Sequence, residues 1–270
     1  MTVQAAAGAV TRTTVASSWS WMRLDLLLRL VPLALVPLVF SWLSGTPLRS
    51  LGLVITHPLR DLLVAIPAGL AGFAIAAAFN VYLSRRSARW FVPTKPDLLV
   101  QSGYYLVLNA PIEEWFFRGF LQGSLARWWN APLLGLLVAT AIFGAYHFLD
   151  RWGWRPVAGA TAAGLGLGLI YLWQPSPASL LAPVLVHAAI TCGFLSLGPY
   201  LVYLWRAPTL PSPASGGGKS QPSRCLLCGC LRRPQELPPR PRPTPRYACR
   251  RALPPVPRRP PRFPRRRRSG

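Results

Sequence analysis

Long apolar runs dominate the first 205 residues of this 270-residue chain. About 20 apolar residues are needed for a helix to cross the hydrocarbon core of a bilayer. Such runs predict an all-α fold, a polytopic transmembrane bundle of about six helices. The predicted spans are Leu24–Leu43, Leu62–Leu83, Leu98–Leu125 (interrupted), Pro132–Leu149, Pro156–Trp173 and Ala178–Trp205. The first contains Arg29, whose long side chain is expected to snorkel toward the membrane surface.

Charge divides the chain into two regions. Residues from Arg206 onward hold 17 of the 30 Lys and Arg, 16 of the 30 Pro and one of the seven acids. This composition does not bury enough apolar surface to fold. We therefore predict a membrane domain over residues 1–205 and a disordered Pro/Arg-rich tail over residues 206–270. The hydrophobicity of the first region argues against nucleic acid as the partner, despite the net charge of +23.

Two interpretations of the tail stay open. Its arginines are expected to touch anionic lipid head groups, or the tail is an incidental extension without a role. Its cysteines include the run "CLLCGC", but no histidine or second CxxC completes a zinc finger. They are Cys225, Cys228, Cys230 and Cys249.

The loops between the apolar runs differ in basic residues, which concentrate on the cytoplasmic side of membrane proteins. The loops after the second and fourth runs are the basic ones, and with six spans both lie on the same side as the termini. We therefore predict a multi-pass protein of a bacterial plasma membrane, with both termini cytoplasmic. The basic residues are Arg85, Arg86, Arg89, Lys95, Arg151 and Arg155.

Ionisable residues inside the apolar runs carry the functional information. Such residues face the interior of a helix bundle or a water-filled cavity, and they pair with one another. Five of them on three runs predict a shared polar pocket. They are Glu113, Glu114, Arg118, His147 and His187.

The stretch "NAPIEEWFFRGFLQ" holds three of these residues. Pro111 suits the first turn of a helix, which predicts that Asn109 lies near the N-cap and that the glutamates lie near the positive end of the helix dipole. Glu114 and Arg118 are four residues apart and are predicted to pair. Glu113 points elsewhere and is predicted to be unpaired and available as a base.

Three motifs in this part of the chain resemble a known family. "EEWFFR" has the form EExxxR, "FGAYH" has the form FxxxH, and "HAAIT" is one residue from HxxxN. In this order they resemble the CPBP family of intramembrane proteases, which includes CAAX prenyl endopeptidases and bacterial Abi proteins. The motif core spans residues 109–191. The resemblance implies a helical bundle around a polar cavity, and hydrolysis of a peptide bond without a cofactor.

The resemblance also implies roles for individual residues. Glu113 and His147 would polarise the attacking water, and His187 would stabilise the oxyanion. Glu114 and Arg118 would hold the site together. Thr191 stands where the family usually has Asn, and its hydroxyl is a shorter donor than an amide. Thr191 is therefore predicted to leave a slow enzyme, a compensated site or a non-catalytic protein.

Other interpretations stay open at this point. Glu113, His147 and His187 would be an acceptable ligand set for catalytic zinc. Intramembrane carboxylates also relay protons in transporters, although no internal repeat supports that function. A membrane chaperone or bacteriocin-immunity-type protein could use the same fold without catalysis. For the protease, the predicted partners are the lipid bilayer and a membrane-embedded or membrane-associated protein or peptide substrate.

Overall fold

The computed structural model describes residues 9–149 and 153–206, which lie within one compact unit. Apart from Arg206, the last residue of the final helix, the predicted tail and its cysteines lie outside the described residues, so the domain boundary at residue 205 stays a prediction. The all-α prediction is confirmed, with one addition, a short two-stranded sheet. The elements are β1 (Ala9–Thr13), α1 (Val15–Ser44), α2 (Pro58–Ser87), β2 (Arg89–Pro93), α3 (95–128), α4 (Pro132–Leu149), α5 (Trp154–Leu172), α6 (Leu181–Leu195) and α7 (Leu197–Arg206).

The helices follow the six predicted apolar runs, but not all of them are long and apolar enough to count as membrane spans. Among the described residues, α1, α2 and α4 meet that condition, and α6 with α7 would be a fourth if the bent pair is one span. The protein is a membrane protein, and the count of six spans stays a prediction.

The two strands determine how α1 and α3 lie against each other. β1 and β2 pair in parallel, from Ala9 opposite Arg89 to Thr13 opposite Pro93. Helices α1 and α3 therefore begin at the same end and run in the same direction. Their contacts follow the same direction: Gln101 Nε2 donates to Ser18 Oγ at 3.0 Å, and Tyr104, one turn later on α3, donates to Asp25, two turns later on α1.

Helix α3 runs without a break through the segment that was expected to contain a helix start. The backbone of Asn109 is helical, so Asn109 is not an N-cap. The turn from Tyr105 to Asn109 is a π-helix, in which the Ala110 N–H reaches the carbonyl of Tyr105. This wider turn accommodates Pro111, which has no N–H to donate. The helix-dipole argument for the glutamates was therefore wrong.

Small residues bring α2 and α6 close together. A methyl group added at Gly193 would stand 2.5 Å from the Phe73 carbonyl oxygen, and one at Gly72 would stand 2.7 Å from the Ile190 side chain. Backbones approach this closely in membranes only where side chains are small. The interface fixes α6, which carries His187, in the middle of the bundle.

Candidate active site

A buried ion pair within α3 lies at the centre of the bundle and contacts a second helix through His187. Arg118 Nη1 donates to Glu114 Oε1 at 3.0 Å, as the spacing of four residues predicts. The Nδ1 of His187, on α6, lies 2.6 Å from the same oxygen. Glu114 and Arg118 are 0% and 2% exposed. Glu114 therefore orients His187 as well as pairing with Arg118.

Glu113 is also paired, which corrects the prediction that it is unpaired. Its Oε1 accepts hydrogen bonds from Arg29 Nη1 of α1 and from Asn109 Nδ2, the latter at 2.9 Å. Its Oε2 lies 3.8 Å from His187 Nε2. Oε1 is thus held by two donors, while Oε2 faces the imidazole. The sequence interpretation failed because it treated Arg29 as a residue that reaches the membrane surface.

Arg29 is the site residue that sequence reasoning missed. Its guanidinium forms a two-fold contact with Asp25, in which Nη2 to Oδ2 is 2.6 Å. It also donates to the Tyr146 hydroxyl at 2.9 Å. Tyr104 donates to Asp25 from the other side. The spacing of Asp25 and Arg29, four residues apart in an apolar run, was the signal that a buried ion pair lay there.

Two side chains of α3 form hydrogen bonds with the backbone of α5. Arg118 Nη2 donates to the Gly164 carbonyl and Gln122 Nε2 donates to the Gly168 carbonyl, each at 2.9 Å. A methyl group at Gly164 would stand 2.6 Å from the Phe143 ring and 3.3 Å from Arg118 Nη2. Glycine is therefore required at position 164 for α5 to approach the arginine.

The two histidines meet at a cavity of about 440 Å³ between α2, α4, α5 and α6. Its lining is largely apolar, and its polar side chains are His147, His187 and Thr191. His147 Nδ1 lies 2.8 Å from the Phe143 carbonyl. Because a carbonyl only accepts, Nδ1 carries the hydrogen, and Nε2 of the neutral ring is an acceptor. Phe143 packs against His147 with ring centroids 4.4 Å apart.

The charges of this network nearly balance. Its carboxylates outnumber its guanidinium groups by one: they are Asp25, Glu113 and Glu114 against Arg29 and Arg118. The two ring nitrogens of His187 lie beside both glutamates. Buried charges persist in low dielectric when they are paired in this way. With hydrogen on both ring nitrogens, His187 donates to Glu114 through Nδ1 and presents an N–H at Nε2.

The residues of the alternative zinc set do not form a zinc site in this arrangement. Within residues 9–149 and 153–206, no group of three His, Cys, Asp or Glu side chains could hold a metal ion. Glu113 Oε1 is bonded by the Arg29 guanidinium, whose positive charge would oppose a cation at the same carboxylate.

The six predicted site residues are thus buried hydrogen-bond partners or line the cavity, and Arg118 contacts the others through Glu114. Residues 95–193 match the family described as "Type II CAAX prenyl endopeptidase Rce1-like". No curated protein and no solved structure matches the chain. The family match confirms the resemblance that the three motifs predict: residues 95–193, from the start of α3 to near the end of α6, are similar to the Rce1-like CAAX prenyl endopeptidases.

Proposed function

We propose that the protein is an intramembrane endopeptidase in which Glu113 and His147 activate water. One observation carries this proposal: two buried glutamates and two histidines, from three helices, converge beside a cavity inside the segment that matches the protease family. The proposed substrate is a membrane-associated protein or peptide, whose cleaved segment enters the largely apolar cavity.

The proposed chemistry assigns one role to an atom of each group. Glu113 Oε2, which Arg29 and Asn109 leave unbonded, takes a proton from the attacking water. His147 Nε2 accepts the second hydrogen of the same water and aligns it. The oxygen then attacks the carbonyl carbon, and His187 Nε2–H donates to the developing oxyanion. When the C–N bond breaks, the proton on Glu113 passes to the leaving amine.

Arg29 serves this reaction as a positioning residue. Its contacts with Asp25 and Tyr146 fix the guanidinium, and the guanidinium fixes one oxygen of Glu113. The other oxygen then faces His187. Small errors in the position of a catalytic group lower the rate strongly.

Arg29→Gln is expected to lower kcat by about 10-fold or more, because Glu113 loses the partner that fixes its rotamer. KM should change little, since Arg29 does not line the cavity. Steady-state kinetics in proteoliposomes would measure both. Arg23→Gln, at an exposed position of the same helix, is the control. A higher kcat in Arg29→Gln would mean that Arg29 suppresses the base instead of positioning it.

Thr191 is proposed to donate a hydrogen bond from the cavity wall to the same oxyanion as His187. Thr191→Val removes only the hydroxyl and is expected to slow cleavage by about 10-fold or more. Thr191→Asn is expected to preserve or raise the rate. Thr161→Val is the control, because the Thr161 hydroxyl bonds the Val157 carbonyl of its own helix. A wild-type rate in Thr191→Val would leave Thr191 with a packing role only.

The proposal is tested with the full chain purified into liposomes. A fluorogenic peptide ending in a CAAX sequence would be offered with and without a prenyl group on its cysteine. Cleavage of either peptide, at a rate that depends on Glu113, supports an endopeptidase. Cleavage of only the prenylated peptide would further assign the substrate class. No cleavage of either, in an assay where a known family member is active, would overturn the proposal.

The second candidate is a non-catalytic membrane chaperone or immunity-type protein on the same fold. Two observations favour it: Arg29 already pairs with the proposed base, and Thr191 replaces the usual Asn. The same assay separates the two functions. Localisation in a bacterial plasma membrane with both termini cytoplasmic is part of the proposal for either function.

A further inference from the structure

A bend between α6 and α7 shapes the surface at one end of the bundle. The two helices differ in direction by 44°, and the break is at Ser196, whose backbone is not helical. Asn80 Nδ2 of α2 donates to the Phe194 carbonyl at 2.8 Å. The bend is therefore fixed by a side-chain contact with α2.

A groove lies between the bent helix and the end of α2. It has a volume of about 660 Å³, and the described residues that line it belong to α2 and α7. Its apolar floor comes from Ala78, Val81 and Val202. Tyr82 and Trp205 also line the groove, and both side chains are exposed. This volume is within the range of small-molecule sites.

Two arginines line the same groove. Arg85 and Arg86 are exposed, and they lie in the last turn of α2. No hydrogen bond or ion pair joins either guanidinium to another described residue. None of the described residues that line the groove is acidic. The groove thus offers two uncompensated positive charges next to an apolar surface.

The position of the groove along α2 places it at a membrane surface. α2 has 30 residues and is one of the helices able to cross a membrane, and the arginines follow its apolar part directly. Trp and Tyr side chains are enriched at the level of lipid head groups. Basic pockets between membrane helices bind anionic lipid head groups. The basic loops predict that this end faces the cytoplasm, where anionic lipids are abundant.

We propose that this groove is a binding site for one anionic phospholipid. The phosphate and head group lie against Arg85 and Arg86, and an acyl chain covers Val81 and Val202. The proposal commits to a lipid because an acidic protein segment would satisfy the arginines but not the apolar floor at the membrane surface. It is independent of the proposed proteolytic function, since His147, His187 and Thr191 line a different cavity.

The test is a titration of the full-length protein in detergent, with bound lipid counted by native mass spectrometry. The probes are dioleoylphosphatidylglycerol and dioleoylphosphatidylcholine, which share acyl chains and differ in net charge. Wild type is expected to bind the first phosphatidylglycerol at least 10-fold more tightly than phosphatidylcholine. Arg85→Gln/Arg86→Gln is expected to remove most of that preference.

The matched control is Arg89→Gln/Lys95→Gln. It removes the same number of charges from exposed positions at the same end of the molecule, outside the groove. This control is expected to keep the preference for phosphatidylglycerol. An equal loss in both double variants would show general surface attraction and overturn the proposed site. Equal binding of the two lipids by wild type would overturn it as well, as would displacement of the lipid by sn-glycerol 3-phosphate at similar concentration.

Discussion

Glu113→Gln is expected to lower the rate of peptide cleavage by about 10²–10⁴-fold, the contribution typical of a general base. Glutamine has the same shape and still accepts the hydrogen bond from Asn109, but it does not take a proton from water. The fold should survive, because Arg29 keeps its two-fold contact with Asp25. Cleavage assays at equal abundance in the membrane would measure the loss.

Glu113→Asp is the companion variant. It keeps the carboxylate but withdraws it by one methylene, so it should retain more activity than Glu113→Gln and less than wild type. Near-normal cleavage by Glu113→Gln would remove Glu113 from the catalytic role. A loss of folded protein in Glu113→Gln would instead mean that the contact with Arg29 is mainly structural, which thermal unfolding in detergent would reveal.

Arg118→Leu is expected to destabilise the protein by about 3–5 kcal/mol, the usual effect of removing one partner from a buried ion pair. Glu114 would keep its contact with His187 but lose its guanidinium, and the Gly164 carbonyl would lose its donor. Thermal unfolding in detergent and the yield of monodisperse protein would measure the effect.

Gln122→Leu is the control for Arg118→Leu. Gln122 makes the equivalent bond to α5 one turn later, at the Gly168 carbonyl, but it carries no charge. Its removal should cost about 1–3 kcal/mol. The double variant Glu114→Gln/Arg118→Leu should be less destabilised than the two single variants summed, because it leaves no unpaired charge. Equal effects of Arg118→Leu and Gln122→Leu would contradict the role of the ion pair.

Local patterns of the sequence predicted the features that depend on local spacing. The apolar runs gave the positions of the helices, because each run is long enough to form a helix regardless of its neighbours. The pair Glu114–Arg118 followed from its spacing of four residues within one helix. The separation of His187 and Thr191 likewise placed both on one face of α6, and both line the same cavity.

Features that depend on neighbouring turns were predicted less well. Pro111 indicated a helix start, yet α3 continues through it, because a π-turn upstream removes the need for the missing N–H. The break at Ser196 was also not predicted, and one apolar run became two helices. In both cases the apolar pattern is the same whether the backbone continues or changes its turn, so hydropathy does not distinguish the two outcomes.

By itself, the sequence determined the helical membrane fold, the similarity of residues 95–193 to a protease family and the residues brought to the candidate site. Only the tertiary structure decided how those residues pair. Arg29 and Glu113 are 84 positions apart. They meet because β1 and β2 pair, so that α1 and α3, which follow these strands, begin next to each other. His187 and Glu114 meet because α6 is fixed against α2 by small residues. Contacts between distant positions depend on how whole helices pack, and no periodicity within one helix encodes that packing.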